Sequence, residues 1–394
     1  MLIKAASELS SGLPKTLNAF VLLNRSPSQY AVRILAVGDL GFSGRIRKTY
    51  ETTHNYQDAF CEVAPLLRSA DQVFCNLETP LLEDQIAQMF AGKSESIFAV
   101  KQAGFNIINL ANNHMLDYGE EGLSNTIQLV NGIGAHSLGT GYTQSEAKSL
   151  FSDQINGLRV GWLGCGRTLV DQTDNSVFYW EYDEDEILDA VHDARPKVDF
   201  LILSIHTGLM YLDYPKPDTK AFAEKLLESG VNIILMHHAH VVQGVQVHEN
   251  GSICCYNLGN FLLDWKEGNV PSLDVEEQQK ESAIFVFDID KSGCVSAFAL
   301  PVYFDDDFFV HWAVGDRGEK IINRLKKISE DLQGDYQDLF EQQRAERNAG
   351  SILKVIAFHL KRGNFSYIFN QISHLRYEHI KMFTRYFLQK LQNN

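Results

Sequence analysis

The sequence lacks the features that define several protein classes. Its six cysteines form no CxxC pair and are too few for a disulfide scaffold, so we expect reduced thiols in the core. No apolar run reaches the roughly 20 residues that a membrane-spanning helix needs. Ser, Pro and Asn interrupt residues 1–30 before an apolar segment of signal-peptide length accumulates. We therefore expect a cytoplasmic protein.

Basic residues are scarce in most of the chain. The formal net charge is −15, and the segment from Gly350 onward contains seven Lys or Arg against a single acid, Glu378, so the preceding residues carry about −21. An acidic body argues against nucleic acid as the main partner. With 394 residues and 45% apolar content, the chain can bury one large core or two moderate ones, which excludes the disordered and fibrous classes.

Continuously apolar runs alternate with amphipathic segments. The runs lie at 32–38, 72–76, 105–110, 159–164, 200–205 and 231–236, and the helix-like segments at 57–69, 119–132, 183–194 and 217–229. Continuous apolar runs suit strands that are covered on both faces, so the alternation predicts an α/β layered architecture. Later runs at 241–248, 252–263, 282–289 and 294–300 are separated only by turns. We expect these to form a second, more antiparallel sheet beside the first.

The pattern changes near residue 315. A charged helical periodicity runs from Gly318 to about Arg347, and a second helical stretch follows Gly350. We therefore divide the chain into a lead segment (1–30), a core domain (31–315) and a helical, basic C-terminal region (316–394). Residues 351–394 mix bases with aromatic and aliphatic residues, so they could pack on the acidic body, on an anionic membrane surface or on a partner such as a synthase.

Polar residues of metal-binding type follow the apolar runs. They are Asp39, Asn76, Glu78, Asn113, His114, Asp117, His206, His237, His238, His240 and Asn260. Because the carboxyl ends of strands in an α/β sheet line the ligand crevice, these side chains can converge there. The mixture of carboxylate, carboxamide and imidazole suits Mn²⁺, Fe²⁺ or Zn²⁺. Two such ions side by side are suited to in-line displacement at phosphorus, so hydrolysis of a phosphate ester is the default chemistry.

Each of these residues also has a structural interpretation. Asp39 could cap a turn, and His206 could be a hydrogen-bonded core residue. Asn112 and Asp117 could satisfy loop backbone groups, and for Asp117 we favour that interpretation. Asn260 follows a glycine and could belong to a turn.

The segment "HHAH" is the strongest single signal for a metal site. Residues two apart at the end of an extended strand face the same side, so His238 and His240 can share a metal cluster, whereas His237 is expected to point away.

The series "GDLGFSG", "NLETPL", "ANNHMLDYG", "SIHTG", "HHAHVVQG" and "YNLGNF" resembles, in order and spacing, the bacterial capsule-synthesis CapA family. That family is associated with poly-γ-glutamate and belongs to the calcineurin-like metallophosphatase superfamily. The resemblance covers roughly residues 32–265. It implies a four-layer α/β/β/α sandwich with a dinuclear metal site at the strand ends, here followed by a C-terminal helical appendage.

The resemblance also implies roles for individual residues. Asp39 and His240 would hold the first metal, Glu78 would take the bridging position, and Asn113, His206 and His238 would hold the second metal. His114 would be the general acid beside the ligand Asn113. Asn76, Asn112, Asp117 and Asn260 would support these groups by hydrogen bonds.

This sequence departs from the related pattern at three places. Gly41 stands where the superfamily usually has a histidine ligand, which leaves the first metal with fewer ligands. Thr207 and Met210 replace the usual Trp and Glu, which changes a pocket wall. Ala239 replaces the usual Pro between two histidines, which costs rigidity but no ligand.

Three functions are consistent with these residues. The first is a divalent-metal-dependent, phosphoesterase-like hydrolase that acts on a phosphorylated or polymeric precursor of the cell envelope. The second is a noncatalytic assembly factor of a capsule polymer synthesis complex with a degenerate metal site. The third is a metal-dependent γ-glutamyl amide hydrolase or transferase, because the same ligands could serve either reaction. In each case we expect a cytoplasmic protein, and contact of the basic tail with the membrane periphery is one alternative to its packing on the core.

Overall fold

The computed structural model describes residues 13–25, 31–53, 55–83, 90–168, 176–264 and 277–361, with the backbone alone for 349–359 and for Lys361. In chain order the strands are β1 (Phe20–Asn24), β2 (Val32–Leu40), β3 (Gln72–Leu77), β4 (Leu81–Leu82), β5 (Gly92–Lys93), β6 (Ile107–Asn109), β7 (His136–Leu138), β8 (Thr140–Gly141), β9 (Phe151–Ile155), β10 (Leu158–Gly166), β11 (Phe178–Tyr179), β12 (Phe200–His206), β13 (Ile233–His237), β14 (Val245–Val247), β15 (Ile253–Cys255), β16 (Asn260–Leu262), β17 (Glu281–Asp290), β18 (Gly293–Phe304) and β19 (Val310–Trp312).

The α-helices are α1 (Gly44–Thr52), α2 (Ala64–Leu67), α3 (Ile97–Ala103), α4 (Gly119–Gly132), α5 (Gln144–Ala147), α6 (Glu184–Ala194), α7 (Pro217–Glu228), α8 (Gly315–Asp331) and α9 (Gln337–Lys361). Short 3₁₀ helices lie at Tyr56–Phe60, Ser94–Ser96, Arg195–Lys197 and Glu277–Gln279.

Two large mixed sheets form the centre of the molecule. The first has the strand order β1-β18-β17-β2-β3-β6-β7, with β16 paired to β2 and β19 to β18. The second has the order β14-β15-β13-β12-β10-β9. Within them, β2, β3, β6 and β7 run parallel to one another, as do β10, β12, β13 and β15.

The two sheets pack face to face, with helices on both outer faces. Trp162 of the second sheet stacks on Phe74 of the first, with ring centroids 5.3 Å apart, and donates its Nε1–H to Gln72 Oε1 at 2.8 Å. Helices α1, α3 and α4 cover the outer face of the first sheet, and α6, α7 and α8 that of the second. This arrangement confirms the predicted four-layer α/β/β/α sandwich.

The six apolar runs are all strands, but the prediction for the later runs was wrong. They do not form a sheet of their own: β17 extends the first sheet antiparallel to β2, β18 pairs antiparallel with β17, and β14 and β15 extend the second sheet. The physical reason lies in the layering. Each sheet buries one face against the other sheet, so a run that is apolar on both faces does not distinguish the two sheets.

Two helical predictions need correction. Segment 57–69 is not one helix but the 3₁₀ helix Tyr56–Phe60 followed by α2, because Pro65 can only start a new turn there. In the C-terminal region the break lies between α8 and α9 rather than at Gly350, which is inside α9. At the start of α9, Asp335 Oδ1 accepts the Gln337 N–H at 3.0 Å. The other three predicted helices correspond to α4, α6 and α7.

Strand β1 and helix α8, which lie outside the predicted core domain, pack on the sandwich. Strand β1, within the predicted lead segment, pairs with β18 at the edge of the first sheet. Helix α8 begins at the predicted boundary and buries Leu325 in the core between the sheets and Ile328 against the second sheet. Residues 362–394, the greater part of the basic tail, lie outside the described residues.

None of the described helices combines the length and the apolarity needed to cross a lipid bilayer.

All six cysteines are free thiols; five are buried and Cys61 is exposed, so the prediction of reduced core thiols holds for five.

A histidine far from the strand ends lies between two carboxylates. His311 of β19 contacts Glu62 Oε2 through Nδ1 at 2.6 Å and Asp305 Oδ2 through Nε2 at 3.0 Å. Partial burial lowers the pKa of His311, but the two carboxylates outweigh burial and raise it above its usual value.

Candidate metal centre

The parallel strands of the two sheets end at a common point, and this places the predicted residues together. In the first sheet, Asp39 at the end of β2 pairs in register with Asn76 of β3, which pairs with Asn109 of β6. In the second sheet, His206 at the end of β12 lies beside His237 at the end of β13. Because β16 runs parallel to the last residues of β2, it also brings Asn260 next to Asp39.

A close backbone approach fixes the end of β2. The Asp39 N–H donates to the Gly259 carbonyl at 2.8 Å, and a Cβ added to Gly38 would lie 1.8 Å from that same oxygen. Glycine is therefore required at position 38, and it holds the carboxylate that follows it against β16.

One group of potential ligands consists of Asp39, Glu78 and His240. All three are buried, with at most 2% of each residue exposed. His240 Nδ1 lies 3.4 Å from Asp39 Oδ2, and His240 Nε2 lies 3.7 Å from Glu78 Oε1. These are the residues that the family resemblance assigned to the first metal and to the bridging position.

A second group consists of Glu78, His206 and His238. His206 Nε2 lies 3.6 Å from Glu78 Oε1 and 3.1 Å from His238 Nδ1. The Asn113 Oδ1 atom lies 2.6 Å from the same His206 nitrogen. The structure thus brings the four residues predicted for the second metal to one place, with Glu78 common to both groups.

Carboxamides hold these side chains in position. Asn76 Nδ2 is 2.9 Å from Asp39 Oδ1 and 3.1 Å from His206 Nδ1, so one amide orients a residue from each sheet. Asn112 donates to the Leu77 carbonyl at 2.7 Å. His240 Nδ1 is 3.0 Å from Asn260 Oδ1, which leaves Nε2 to face Glu78. Such contacts fix the orientation of an imidazole in metal sites.

The prediction for His237 was wrong. Its Nδ1 lies 3.2 Å from Asp39 Oδ1, so the ring faces the cluster from the buried side. The extended geometry assumed for "HHAH" does not occur, because β13 ends at His237 and both His238 (φ 95°) and His240 (φ 57°) have left-handed backbone. A turn, rather than strand alternation, brings those two imidazoles into the cluster.

His114 lies at the rim and is paired with Asp117. Its Nδ1 is 2.8 Å from Asp117 Oδ2, and the Phe90 ring stacks on the imidazole with centroids 3.9 Å apart. The carboxylate of Asp117 therefore contacts His114. The favoured interpretation, that Asp117 only satisfies loop backbone groups, is incomplete. With Nδ1 engaged, Nε2 is the nitrogen available for proton transfer.

The buried charges perturb one another strongly. Burial raises the pKa of Asp39, but His237 and His240 outweigh burial and hold it well below its usual range. Burial, and then Asp39, raise the pKa of Glu78 well above its usual value. Burial and neighbouring imidazoles lower the pKa of His238 to about 3 and that of His206 well below its usual value. Both histidines are therefore neutral at physiological pH, the state in which imidazole binds a metal.

The residues fit a divalent metal site. Both carboxylate oxygens of Glu78 are buried without a hydrogen-bond partner, although a buried carboxylate normally has one. Two ligands that each lie about 2.1 Å from a common ion are about 3 to 3.6 Å apart. The separations of 3.6 and 3.7 Å from Glu78 to the two imidazoles are close to that spacing. A divalent cation would satisfy the orphaned oxygens.

Comparison with known proteins agrees with this geometry. Residues 33–265, which are more than half of the chain and contain every residue of both groups, match the model of the bacterial capsule synthesis protein family PGA_cap. The chain belongs to this family. The resemblance read from the motifs is thereby confirmed.

Two relatives in the family are CapA proteins. The capsule biosynthesis protein CapA of Bacillus anthracis is 33% identical over 246 residues, which are 58% of this chain and 59% of that protein. The PGA biosynthesis protein CapA of Bacillus subtilis strain 168 is 28% identical over 240 residues, which are 58% of this chain and 62% of that protein. The match thus spans about three fifths of the length of each relative.

Solved structures of similar shape are distant in sequence. A putative 5′-nucleotidase from Staphylococcus aureus, solved with α-ketoglutarate, is 13% identical with a TM-score of 0.45, covering 75% of this chain and 58% of that one. A 5′-nucleotidase from Candida albicans is 13% identical with a TM-score of 0.43, covering 79% and 60%.

The three departures from the family pattern have structural counterparts. A Cβ at Gly41 would lie 2.5 Å from the Leu263 side chain, so an imidazole does not fit there in the present packing. Met210 is 45% exposed and Thr207 is nearly buried, and Met210 lines a cleft beside the cluster. The Ala239 carbonyl accepts the Tyr211 N–H at 2.6 Å.

Three residues at the site were not predicted from the sequence. Asn109 Nδ2 donates to Asn76 Oδ1 at 2.9 Å; a carboxamide inside the apolar run "FNIINL" was the available signal. Tyr211 packs beside His240, with ring centroids 5.7 Å apart, and Arg347 of α9 lies over the Tyr211 ring at 3.9 Å. Nothing in the local sequence connects residue 347 to the histidines.

Proposed function

We propose that this chain is a divalent-metal-dependent hydrolase of the phosphoesterase type, acting on a precursor or polymer of the bacterial capsule. The observation that carries the proposal is the position of Glu78: a fully buried carboxylate, without a hydrogen-bond partner, facing His206 Nε2 and His240 Nε2. A protein gains nothing in stability from such an arrangement unless a cation joins the groups.

The two ions would be held by different sets of side chains that share Glu78. Asp39, Glu78 and His240 would hold one ion, and Glu78, Asn113, His206 and His238 the other. A divalent ion at such a site supplies a water of lowered pKa and neutralises charge that develops on a phosphoryl oxygen. The amides of Asn76 and Asn260 keep the imidazoles oriented before any ligand arrives.

The proton for the leaving oxygen would come from His114. Its Nδ1 is engaged by Asp117, so Nε2 would carry the transferable proton, and the stacked Phe90 ring restricts rotation of the imidazole. Asn113, the neighbour of His114 in sequence, ties the acid to the ligand set through its contact with His206.

The capsule context of the proposal comes from the family and from the printed names of the two CapA relatives. The test is to purify the full chain, measure bound metal, and assay phosphomonoesters, phosphodiesters and γ-glutamyl amides with Mn²⁺, Fe²⁺ or Zn²⁺. We expect phosphoester hydrolysis that His238→Ala abolishes. Hydrolysis of the amides alone would identify a γ-glutamyl amide hydrolase instead of a phosphoesterase. Absence of hydrolysis with every metal would refute the proposal.

A second candidate is favoured by one observation. Gly41 provides no ligand, and a Cβ at that position would lie 2.5 Å from Leu263 Cδ1, so the first metal would have a reduced ligand set. A chain with a poorly occupied first site would serve as a noncatalytic factor in assembly of the capsule synthesis complex. Metal analysis separates the two candidates: one bound equivalent, together with absence of turnover, favours the assembly factor.

A further inference from the structure

His237 is a buried imidazole that belongs to neither ligand group. It is the last residue of β13, and its surface is fully covered. Among the described residues, neither of its ring nitrogens makes an aligned hydrogen bond. A buried polar group in this state is unfavourable, so a histidine that only filled the core would be a poorer choice than an apolar residue of similar volume. Packing therefore does not explain why a histidine ends this strand.

The ring faces the carboxylate of Asp39 across the space between the two sheets. Ile233 and Leu235, which precede His237 on the same face of β13, lie in the core between the sheets. The ring of Phe74, in the other sheet, has its centroid 5.5 Å from that of His237. Asp39 Oδ1 lies 3.2 Å from His237 Nδ1. A carboxylate of the first sheet thus meets an imidazole of the second sheet at the border of the apolar core.

An irregularity in β2 turns Asp39 toward this space. Ala36 of β2 pairs with Phe74 of β3, and both lie in the core between the sheets. Asp39 pairs with Asn76, so the step is three residues in β2 but two residues in β3. One extra residue in a strand moves the side chains that follow it to the opposite face of the sheet. In a regular strand Asp39 would therefore face the outer helices, and the irregularity directs it toward His237 instead.

The two oxygens of Asp39 have different neighbours. Oδ1 accepts the Asn76 Nδ2–H at 2.9 Å and lies 3.2 Å from His237 Nδ1. Oδ2 accepts the His238 N–H at 3.4 Å and lies 3.4 Å from His240 Nδ1. Oδ2 is accordingly the oxygen on the side of the proposed ion, and Oδ1 is the oxygen by which the carboxylate is held. Groups that hold a ligand in this way contribute to metal affinity although they do not touch the ion.

The geometry is less consistent with His237 as a ligand itself. Ligand atoms around one ion lie about 3 to 3.6 Å apart. The atoms of each ligand group lie within 4.8 Å of one another, and neither group includes His237. Its imidazole instead contacts the oxygen of Asp39 that faces away from His240.

The orientation of Asp39 matters more in this chain because the first metal has few ligands. Gly41 supplies no imidazole, so Asp39, Glu78 and His240 are the side chains that would hold this ion. A carboxylate free to rotate would lose part of its binding free energy in becoming ordered. Two donors from two different sheets, Asn76 and His237, prevent that rotation.

We infer that His237 is a positioning residue for the first metal: with the ion bound, its Nδ1–H donates to Asp39 Oδ1 and holds the carboxylate so that Oδ2 faces the ion. This inference rests on the metal centre of the proposed function, but it concerns metal affinity and not turnover. The tautomer with the proton on Nδ1 is the one that supports this contact.

The test measures the affinity of each of the two ions. The full chain, stripped with chelator, is titrated with Mn²⁺ and separately with Zn²⁺ by calorimetry. His237→Leu removes the ring nitrogens at similar volume, and His237→Asn retains an amide N–H close to the position of Nδ1. Gln72→Leu is the matched control, because Gln72 is also a buried polar residue between the sheets, where it accepts the Trp162 Nε1–H. Circular dichroism and the melting temperature in chelator show whether each variant is folded.

We expect His237→Leu to weaken one of the two binding events 10- to 100-fold and to leave the other within about twofold of the wild type. The weakened event should be the one that His240→Ala abolishes. His237→Asn should recover part of the lost affinity, because it keeps a donor. Gln72→Leu should lower the melting temperature and bind both ions like the wild type.

Three results would overturn the inference. The first is unchanged affinity for both ions in folded His237→Leu. The second is equal weakening of both binding events, which would indicate a general loss of structure. The third is loss of one imidazole from the zinc coordination shell of His237→Leu in X-ray absorption, which would make His237 a ligand.

The same titrations separate this inference from the proposed function. If His237→Leu weakens only the first metal while no ester or amide is hydrolysed, the proposed hydrolase fails and the positioning role stands. Absence of metal binding by the wild type would overturn both.

Discussion

Replacing Glu78 by Gln tests the metal centre most directly, because its carboxylate belongs to both ligand groups. A metal ion present at 100 times its Kd, and bound only by the folded protein, raises the free energy of unfolding by about 2.7 kcal/mol. Unfolding entropy near 2.1 cal/mol/K per residue gives about 0.8 kcal/mol/K for 394 residues. Each ion should therefore raise the melting temperature of the wild type by about 3 °C. A hundredfold weaker Kd in Glu78→Gln leaves about 0.4 kcal/mol per ion, a shift of less than about 1 °C.

The metal-free proteins should behave differently. Burial, and then Asp39, raise the pKa of Glu78 well above its usual value, which favours the neutral acid in the metal-free chain. A carboxamide of the same volume is also neutral, so Glu78→Gln should melt within about 1 °C of the wild type in chelator. The assay is scanning calorimetry of both proteins in chelator and in excess Mn²⁺ or Zn²⁺.

Glu281→Gln is the matched control. Glu281 is also a buried carboxylate, but Arg317 and Lys320 lie 3.7 Å from it. Its replacement should lower the melting temperature in chelator and leave the metal-induced rise intact. A Glu78→Gln protein that keeps the full metal-induced rise would refute the assignment of Glu78 as a shared ligand. A large loss of stability in chelator would refute the argument that its burial is unfavourable without metal.

Substitutions of four other histidines test the two ligand groups, the proton donor and the ion pairs of His311. His240→Ala should lower bound metal from two equivalents to one by mass spectrometry, and His206→Ala should do the same by emptying the other group; two equivalents in either variant would contradict the grouping. His114→Ala should reduce phosphoester turnover about 10² to 10⁴-fold with metal content unchanged, and Asp117→Asn should reduce it less; loss of metal in His114→Ala would instead indicate a ligand. His311→Gln should lower the melting temperature more at pH 5.5 than at pH 8.5. The folded-state pKa of His311 is raised, so its contribution is fully present below about 6.5 and is lost as pH rises through the folded value; a pH-independent difference would show that the carboxylates do not stabilise the imidazolium.

Local sequence was sufficient to predict the strands and the polar residues that converge at their ends. A continuously apolar strand has to be covered on both faces, and a polar residue directly after it lies at the sheet edge, so the runs before Asp39, Asn76, His206 and His237 indicated the site from pattern alone. Individual ligand roles needed the family resemblance, because carboxylates, amides and imidazoles at strand ends look alike in sequence.

Only the tertiary structure decided how these ends face one another. Strand alternation predicted that His237 points away, but the strand ends there and a left-handed turn redirects the next residues. The distribution of strands between two sheets, the orphaned oxygens of Glu78 and the stacking of Arg347 on Tyr211 all depend on contacts between distant segments. Periodicity reports which faces of a segment are buried, and it holds no information on which segment buries them; that choice is made when the two sheets pack.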